Sequence, residues 1–117
     1  MNILIIEDDP IIAMDLSWML EDLGHMVTEA NSGAEALALL ESGQEFDLMI
    51  TDYSMPGMNG AELGKVVRRL HPDMPILVAS GYAELPPGAG VDLPRLGKPY
   101  SQAQLSNEIG KLLKKPG

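Results

Sequence analysis

Five positions in the sequence carry side chains able to do chemistry together: Glu7, Asp8, Asp52, Ser80 and Lys98. Each lies at or just beyond the end of an apolar run. Three carboxylates at close quarters repel one another and take up protons unless a cation sits among them. With oxygen ligands only, and no His or Cys in these stretches, the ion they suit is Mg²⁺ or a similar hard divalent cation, with water completing its shell. A lysine and a hydroxyl facing such an ion form a cradle for a phosphoryl group in transfer. The ion and Lys98 offset its charge, Ser80 donates a hydrogen bond, and Asp52 is the nucleophile.

That chemistry requires elements that bring distant residues to one place. Asn2–Ile6 contains a continuous apolar run, short enough to be a strand buried on both faces. Asp9 suits an N-cap and Pro10 a first helical residue. The helix they open puts Ile12, Leu16, Met19 or Leu20, and Leu23 on one face, and Gly24 is placed to stop it. Met26–Ala30 predicts a weaker strand at a sheet edge, and Ser32 with Glu35 a capping box for a helix to about Ser42.

Phe46–Asp52 predicts the central strand, ending on the carboxylate of Asp52 ahead of a turn-rich stretch through Ser54, Pro56, Gly57, Asn59 and Gly60. Asn59–Glu62 opens a further helix with an apolar stripe of Leu63, Val66, Val67 and Leu70, which His71-Pro72-Asp73 ends. Pro75–Ala79 predicts a fourth strand. The Pro/Gly-rich stretch through Pro86, Pro87, Gly88, Gly90 and Pro94 can hold only a short or irregular helix. Leu93–Gly97 is a poor fifth strand, and Pro94 implies an edge position. Ser101 and Gln104 cap a last helix through Leu105, Ile109, Leu112 and Leu113. Strands alternating with helices predict a doubly wound parallel α/β sheet. In such a sheet the strands' carboxyl ends share one edge, where ligands bind. If the strand order is 2-1-3-4-5, the first and third strands are neighbours, and Glu7, Asp8 and Asp52 meet there.

Composition limits what else the chain can be. Its 117 residues suit a single domain, with 114–117 read as a tail. A hydrophobic fraction of 45% is ordinary for a globular protein. No apolar run approaches membrane-spanning length and no basic leader precedes the first strand, so the expectation is a soluble, cytoplasmic protein without membrane insertion. The absence of cysteine excludes disulfides, thiol catalysis and cysteine-ligated metal. A formal charge of −9 argues against direct binding to nucleic acid through the general field, and suits a site for a cation or a basic partner surface.

The motifs I-L-I-I-E-D-D-P, L-M-I-T-D-Y-S-M-P-G-M-N-G, I-L-V-A-S-G and G-K-P-Y, in this order, resemble the response regulator receiver domain of two-component signalling over nearly the whole chain. The resemblance implies a flavodoxin-like five-stranded sheet of order 2-1-3-4-5. It implies that Asp52 accepts a phosphoryl group from a phosphohistidine on a sensor histidine kinase or histidine phosphotransfer protein. Asp8 would ligate Mg²⁺ directly, Glu7 through water, and the Ser54 carbonyl would complete the protein ligands. Lys98 would contact the phosphoryl group and Ser80 would follow it when the domain switches. Two departures stand out. The position three before the lysine, aromatic in most of the family, is Arg95, and an aromatic instead follows the fourth strand as Tyr82, a candidate switch residue or a packing residue. The segment between Ser80 and Lys98 is also short and proline-rich for the family, which implies a reduced fourth helix. Both departures resemble receivers that stand alone or end hybrid histidine kinases. Output would pass through an unknown downstream protein.

Plainer readings stand beside these. Glu7 and Asp8 could serve the first helix through its dipole, but Asp9 already fills the cap. Lys98 could be a solvated lysine and Ser80 a loop hydroxyl. Trp18 reads as a packing or partly exposed residue, His25 and His71 as loop residues, Lys65, Arg68 and Arg69 as a solvated helix face, and the eight methionines as core filler. Two other function classes remain open on sequence. A Mg²⁺-dependent aspartyl-phosphate phosphatase would generally carry a second acid two residues after the nucleophile, where this chain has Ser54. A phosphorylation-independent receiver-like interaction domain would not need the carboxylate set.

Overall fold

In a computed structural model the described residues are 1–53, 59–80, 95–97 and 100–113. Five strands, β1 (Asn2–Ile6), β2 (Met26–Ala30), β3 (Leu48–Asp52), β4 (Ile76–Ser80) and β5 (Arg95–Gly97), form one parallel sheet in the order β2-β1-β3-β4-β5. Four helices are described with it: α1 (Pro10–Asp22), α2 (Gly33–Glu41), α3 (Gly60–Leu70) and α4 (Gln102–Leu113). The doubly wound sheet and its order are those expected.

The apolar runs are continuous because both faces of the sheet are covered. Successive side chains of β1 alternate between two cores. Ile3 and Ile5, with Leu48, Ile50, Leu77 and Leu96, pack against Leu16 and Leu20 of α1 and Leu105 and Ile109 of α4. Leu4 and Ile6, with Met49 and Ile76, pack against Ala36 and Leu40 of α2 and Leu63 and Val67 of α3. β2 and β5 lie at the two edges, as the weaker pattern of Met26–Ala30 and the proline at 94 suggest.

Side-chain caps set the helix starts. The Asp9 carboxylate accepts from the Ile11 N–H at 2.9 Å, with Pro10 following as the first helical residue. Asn59 and Glu62 form a reciprocal capping box, and so do Ser101 and Gln104. Gly24, at φ +95°, takes the left-handed conformation that ends α1.

The stripes differ from expectation in their rotation. On α1 the buried residues are Ala13, Leu16, Ser17 and Leu20, whereas Ile12 is exposed and Leu23 half-buried. Ser17 can occupy a buried position because its hydroxyl donates to Glu29 of β2 at 2.9 Å. On α3 Leu63 and Val67 are buried and Val66 half-buried, but Leu70, in the last turn, is exposed. Phe46 precedes β3 instead of opening it, and its ring packs against the core below α2 and α3. Of the methionines, Met49 is core, while Met14 and Met26 are exposed, so filler describes only part of the set. Lys65, Arg68 and Arg69 form the solvated face expected. The expected short fourth-helix segment, with Tyr82, falls on residues 81–94 and lies outside the described residues.

Candidate functional site

The site forms where β1 and β3, neighbours in the sheet, end side by side. Ile6 pairs with Thr51, so the chain leaves β1 as Glu7-Asp8 at the level where β3 finishes on Asp52. From this point β1 leads to β2 on one side of the sheet while β3 leads away on the other, leaving an opening at the carboxyl edge. Glu7, Asp8 and Asp52 each offer a carboxylate oxygen there, and these atoms all lie within 4.8 Å of one another. Glu7 and Asp52 are buried, at 4% and 7% exposure, and Asp8 is open to solvent.

Local structure holds the two buried members in place. The Glu7 N–H donates to the Ala30 carbonyl at 3.0 Å, extending the β1–β2 ladder, and the Glu7 carboxylate accepts from the Asp9 N–H at 3.1 Å. Beyond Asp52, the Tyr53 N–H donates to the Ala79 carbonyl at 2.9 Å, which ties the end of β3 to β4. The buried Thr51 hydroxyl donates to the Asp52 carbonyl at 3.0 Å. Two buried carboxylates and a third at the rim are an oxygen-only donor set that fits a hard divalent cation such as Mg²⁺, with room for water on the exposed side.

The other expected site residues are placed less fully. Ser80 ends β4 at the same edge, in register with Gly97 of β5; its side chain, and all of Ser54, Tyr82 and Lys98, lie outside the described residues.

Tyr100 joins the site without having been singled out from sequence beyond its place in G-K-P-Y. It packs half-buried against the core between α1 and α4. Burial first, then the charges of Glu7, Asp15 and Asp52, push its phenol up to about 12. Its hydroxyl is therefore neutral at ordinary pH, within the electrostatic reach of the carboxylates. An aromatic directly after Lys98-Pro99 was the available signal.

The family model for the response regulator receiver domain matches residues 3–90. Response regulator receiver protein CpdR of Brucella abortus is 36% identical, the match covering 96% of each chain. Sensor kinase CckA of the same organism is 37% identical over 97% of this chain, which spans only 13% of that protein's length. Among solved structures, response regulator TrrA of Thermotoga maritima, in complex with Mg²⁺ and BeF, superposes with a TM-score of 0.86 at 28% identity, covering 96% of this chain and 98% of that one. The chain belongs to the response regulator receiver domain family.

Proposed function

We propose that Asp52 is the phosphoacceptor of a two-component or phosphorelay switch, charged by the phosphohistidine of a sensor kinase or histidine phosphotransfer protein. The observation that carries this is the grouping of Asp52 with Glu7 and Asp8 at the carboxyl edge of the sheet. An Asp52 oxygen forms the new bond to phosphorus as the bond to the donor's imidazole nitrogen breaks, and the imidazole leaves as a neutral base once protonated. Asp8, Glu7 through water, Asp52 and the Ser54 carbonyl would hold Mg²⁺, which would supply charge neutralisation to the phosphoryl oxygens. Lys98 contacts the same oxygens, Ser80 follows them on switching, and Tyr82 is the candidate that reads the change out to a downstream protein.

The domain is a switch that catalyses only its own phosphorylation and slow dephosphorylation, and residues 1–117 act as one receiver unit with a tail at 114–117. Its similarity to a sensor kinase and to a receiver protein supports partners of that class. Four of the six large exposed apolar side chains among the described residues, Ile11, Ile12, Met14 and Trp18, lie on α1, whose first turn begins just after the Asp9 cap that follows Glu7 and Asp8. That face supports a protein donor covering the rim of the site. No described helix is long and apolar enough to cross a membrane. A cytoplasmic location is the reading that goes with partners of this class.

Intact mass after incubation with Mg²⁺ and a small phosphodonor tests the reading. One added phosphoryl group on the wild type and none on Asp52→Asn is expected. Absence of an adduct on the wild type, together with no binding of beryllofluoride, would remove it.

A further inference from the structure

The glycine that opens α3 is explained neither by helix capping nor by backbone conformation. Gly24 and Gly43 have φ of +95° and +89° and are needed for their turns. Gly60 has no such φ, and the first position of a helix accepts any ordinary residue. What distinguishes it is space. A Cβ at Gly60 would lie 2.5 Å from the carbonyl oxygen of Asp52, 3.0 Å from the Cα of Tyr53 and 3.1 Å from the carbonyl carbon of Asp52. All three are main-chain atoms, which cannot rotate aside as a side chain could. A Cβ at Gly97 or Gly110 would meet nothing within 4 Å.

The same glycine is tied to the strand end that it touches. Its N–H donates to the Tyr53 carbonyl at 2.7 Å, while the Tyr53 N–H reaches Ala79 and the Asp52 carbonyl accepts from Thr51. The peptide carrying Asp52 is thus braced by β4, by the Thr51 hydroxyl and, from behind, by the bare backbone of Gly60. We propose that Gly60 is a positioning residue for Asp52: by lacking a side chain it lets α3 seat against the main chain of Asp52, which fixes the depth of its carboxylate among Glu7 and Asp8. This rests on the reading of Asp52 given above.

A methyl group at position 60 needs ordinary contact, which begins at 3.4 Å, where 2.5 Å is available. The end of β3, or α3 itself, must give way by most of an ångström. Mg²⁺ demands near-ideal octahedral geometry, so a carboxylate displaced on that scale is a poorer ligand. Loss of support around a metal ligand typically weakens binding by roughly 10- to 100-fold.

The test is calorimetric Mg²⁺ titration, with the initial rate of phosphoryl uptake from a small phosphodonor, on wild type, Gly60→Ala, Asn59→Ala and Gly110→Ala. Gly60→Ala is expected to bind Mg²⁺ about tenfold more weakly, and to take up phosphoryl groups correspondingly more slowly, at a temperature where it is fully folded. Asn59→Ala removes the cap of α3 but adds no atom behind Asp52. Its Tm should fall while its Mg²⁺ affinity stays within about twofold of wild type. Gly110→Ala should raise Tm and leave the site alone. Should Gly60→Ala not fold, the double variant with Gly110→Ala takes its place.

Wild-type Mg²⁺ affinity in Gly60→Ala would overturn the proposal, as would an equal loss in Asn59→Ala, or failure of both Gly60→Ala variants to fold. Those last results would make the position a structural one only. A wild type that neither binds Mg²⁺ nor accepts a phosphoryl group would instead remove the reading of Asp52 and leave Gly60 without a reaction to serve.

Discussion

Asp47 stands just before β3 and Asp52 ends it, and the two acids meet opposite surroundings. Asp47 is exposed, and its carboxylate closes the amino edge of the sheet by accepting from the Asn2 N–H at 2.8 Å. Asp52 is buried beside two more carboxylates. The amino edge uses its acid for stability, where water screens the charge and a backbone donor is met. The carboxyl edge instead assembles like charges at close range, an arrangement that a bound cation complements. Three of the four buried polar or charged residues among those described, Glu7, Thr51 and Asp52, belong to that second edge. A sheet selected for stability alone would have no use for them, so their concentration there marks where function overrides packing.

Mg²⁺ should separate the two acids most sharply. At about one hundred times its Kd it should stabilise wild type and Asp47→Asn by about 2.7 kcal/mol in urea unfolding, and Asp52→Asn or Asp8→Ala by far less. Equal stabilisation of all four proteins would erase the distinction. Without metal, Asp52→Asn removes a buried charge beside two others, so its urea midpoint should move further from wild type than that of Asp47→Asn. Asp47→Asn should lose at most about 1 kcal/mol, the weakened rim hydrogen bond. A destabilised Asp52→Asn would mean that its carboxylate is held by partners strong enough to outweigh the repulsion.

Tyr100 gives a smaller, spectroscopic signal of the same asymmetry. Difference titration against Tyr100→Phe should show its phenol ionising at about 12, raised by burial and by Glu7, Asp15 and Asp52. Because the folded-state value is raised, the stability it represents is present below the ordinary value of 10.0 and is lost as pH climbs toward 12. Bound Mg²⁺ neutralises the nearest carboxylates, so it should bring the phenol back down.

The smallest effect belongs to the amino edge. Burial, and then the Met1 ammonium, hold the His25 imidazole below its ordinary 6.5. The unfolded chain binds that proton more readily, so stability should decline as pH falls below 6.5, and His25→Gln should flatten the decline. Comparison of urea midpoints at about pH 7.5 and 5.5 measures it.

The elements were legible where signals are local. β1 and β2 fall at the bounds their patterns predict, and Asp9, Asn59 and Ser101 cap the helices they were expected to cap. These follow from side-chain period and short-range hydrogen bonding, which neighbouring residues largely decide. The rotation of α1 was not legible in the same way. Ile12 and Ala13 compete for the inner face, and the choice of Ala13 leaves Ile12 exposed alongside Ile11, Met14 and Trp18. Hydrophobicity favours Ile12 inside; the close seat of the helix on the sheet favours the small residue. Periodicity cannot weigh one against the other, because it carries no information about the distance to the sheet.

The sequence by itself determined that acids end the first and third apolar runs, and that five strands alternate with helices. Those features depend on residue type and spacing along the chain. Only the tertiary structure decided that Asp52 meets Glu7 and Asp8 while Asp47 meets Asn2, that Tyr100 packs into the core within the field of the carboxylates, and that Gly60 is needed for its missing side chain. Each of these is a contact between segments far apart in sequence or a close approach of two backbones. Sheet order and packing distance set them, and no single stretch of the chain encodes either.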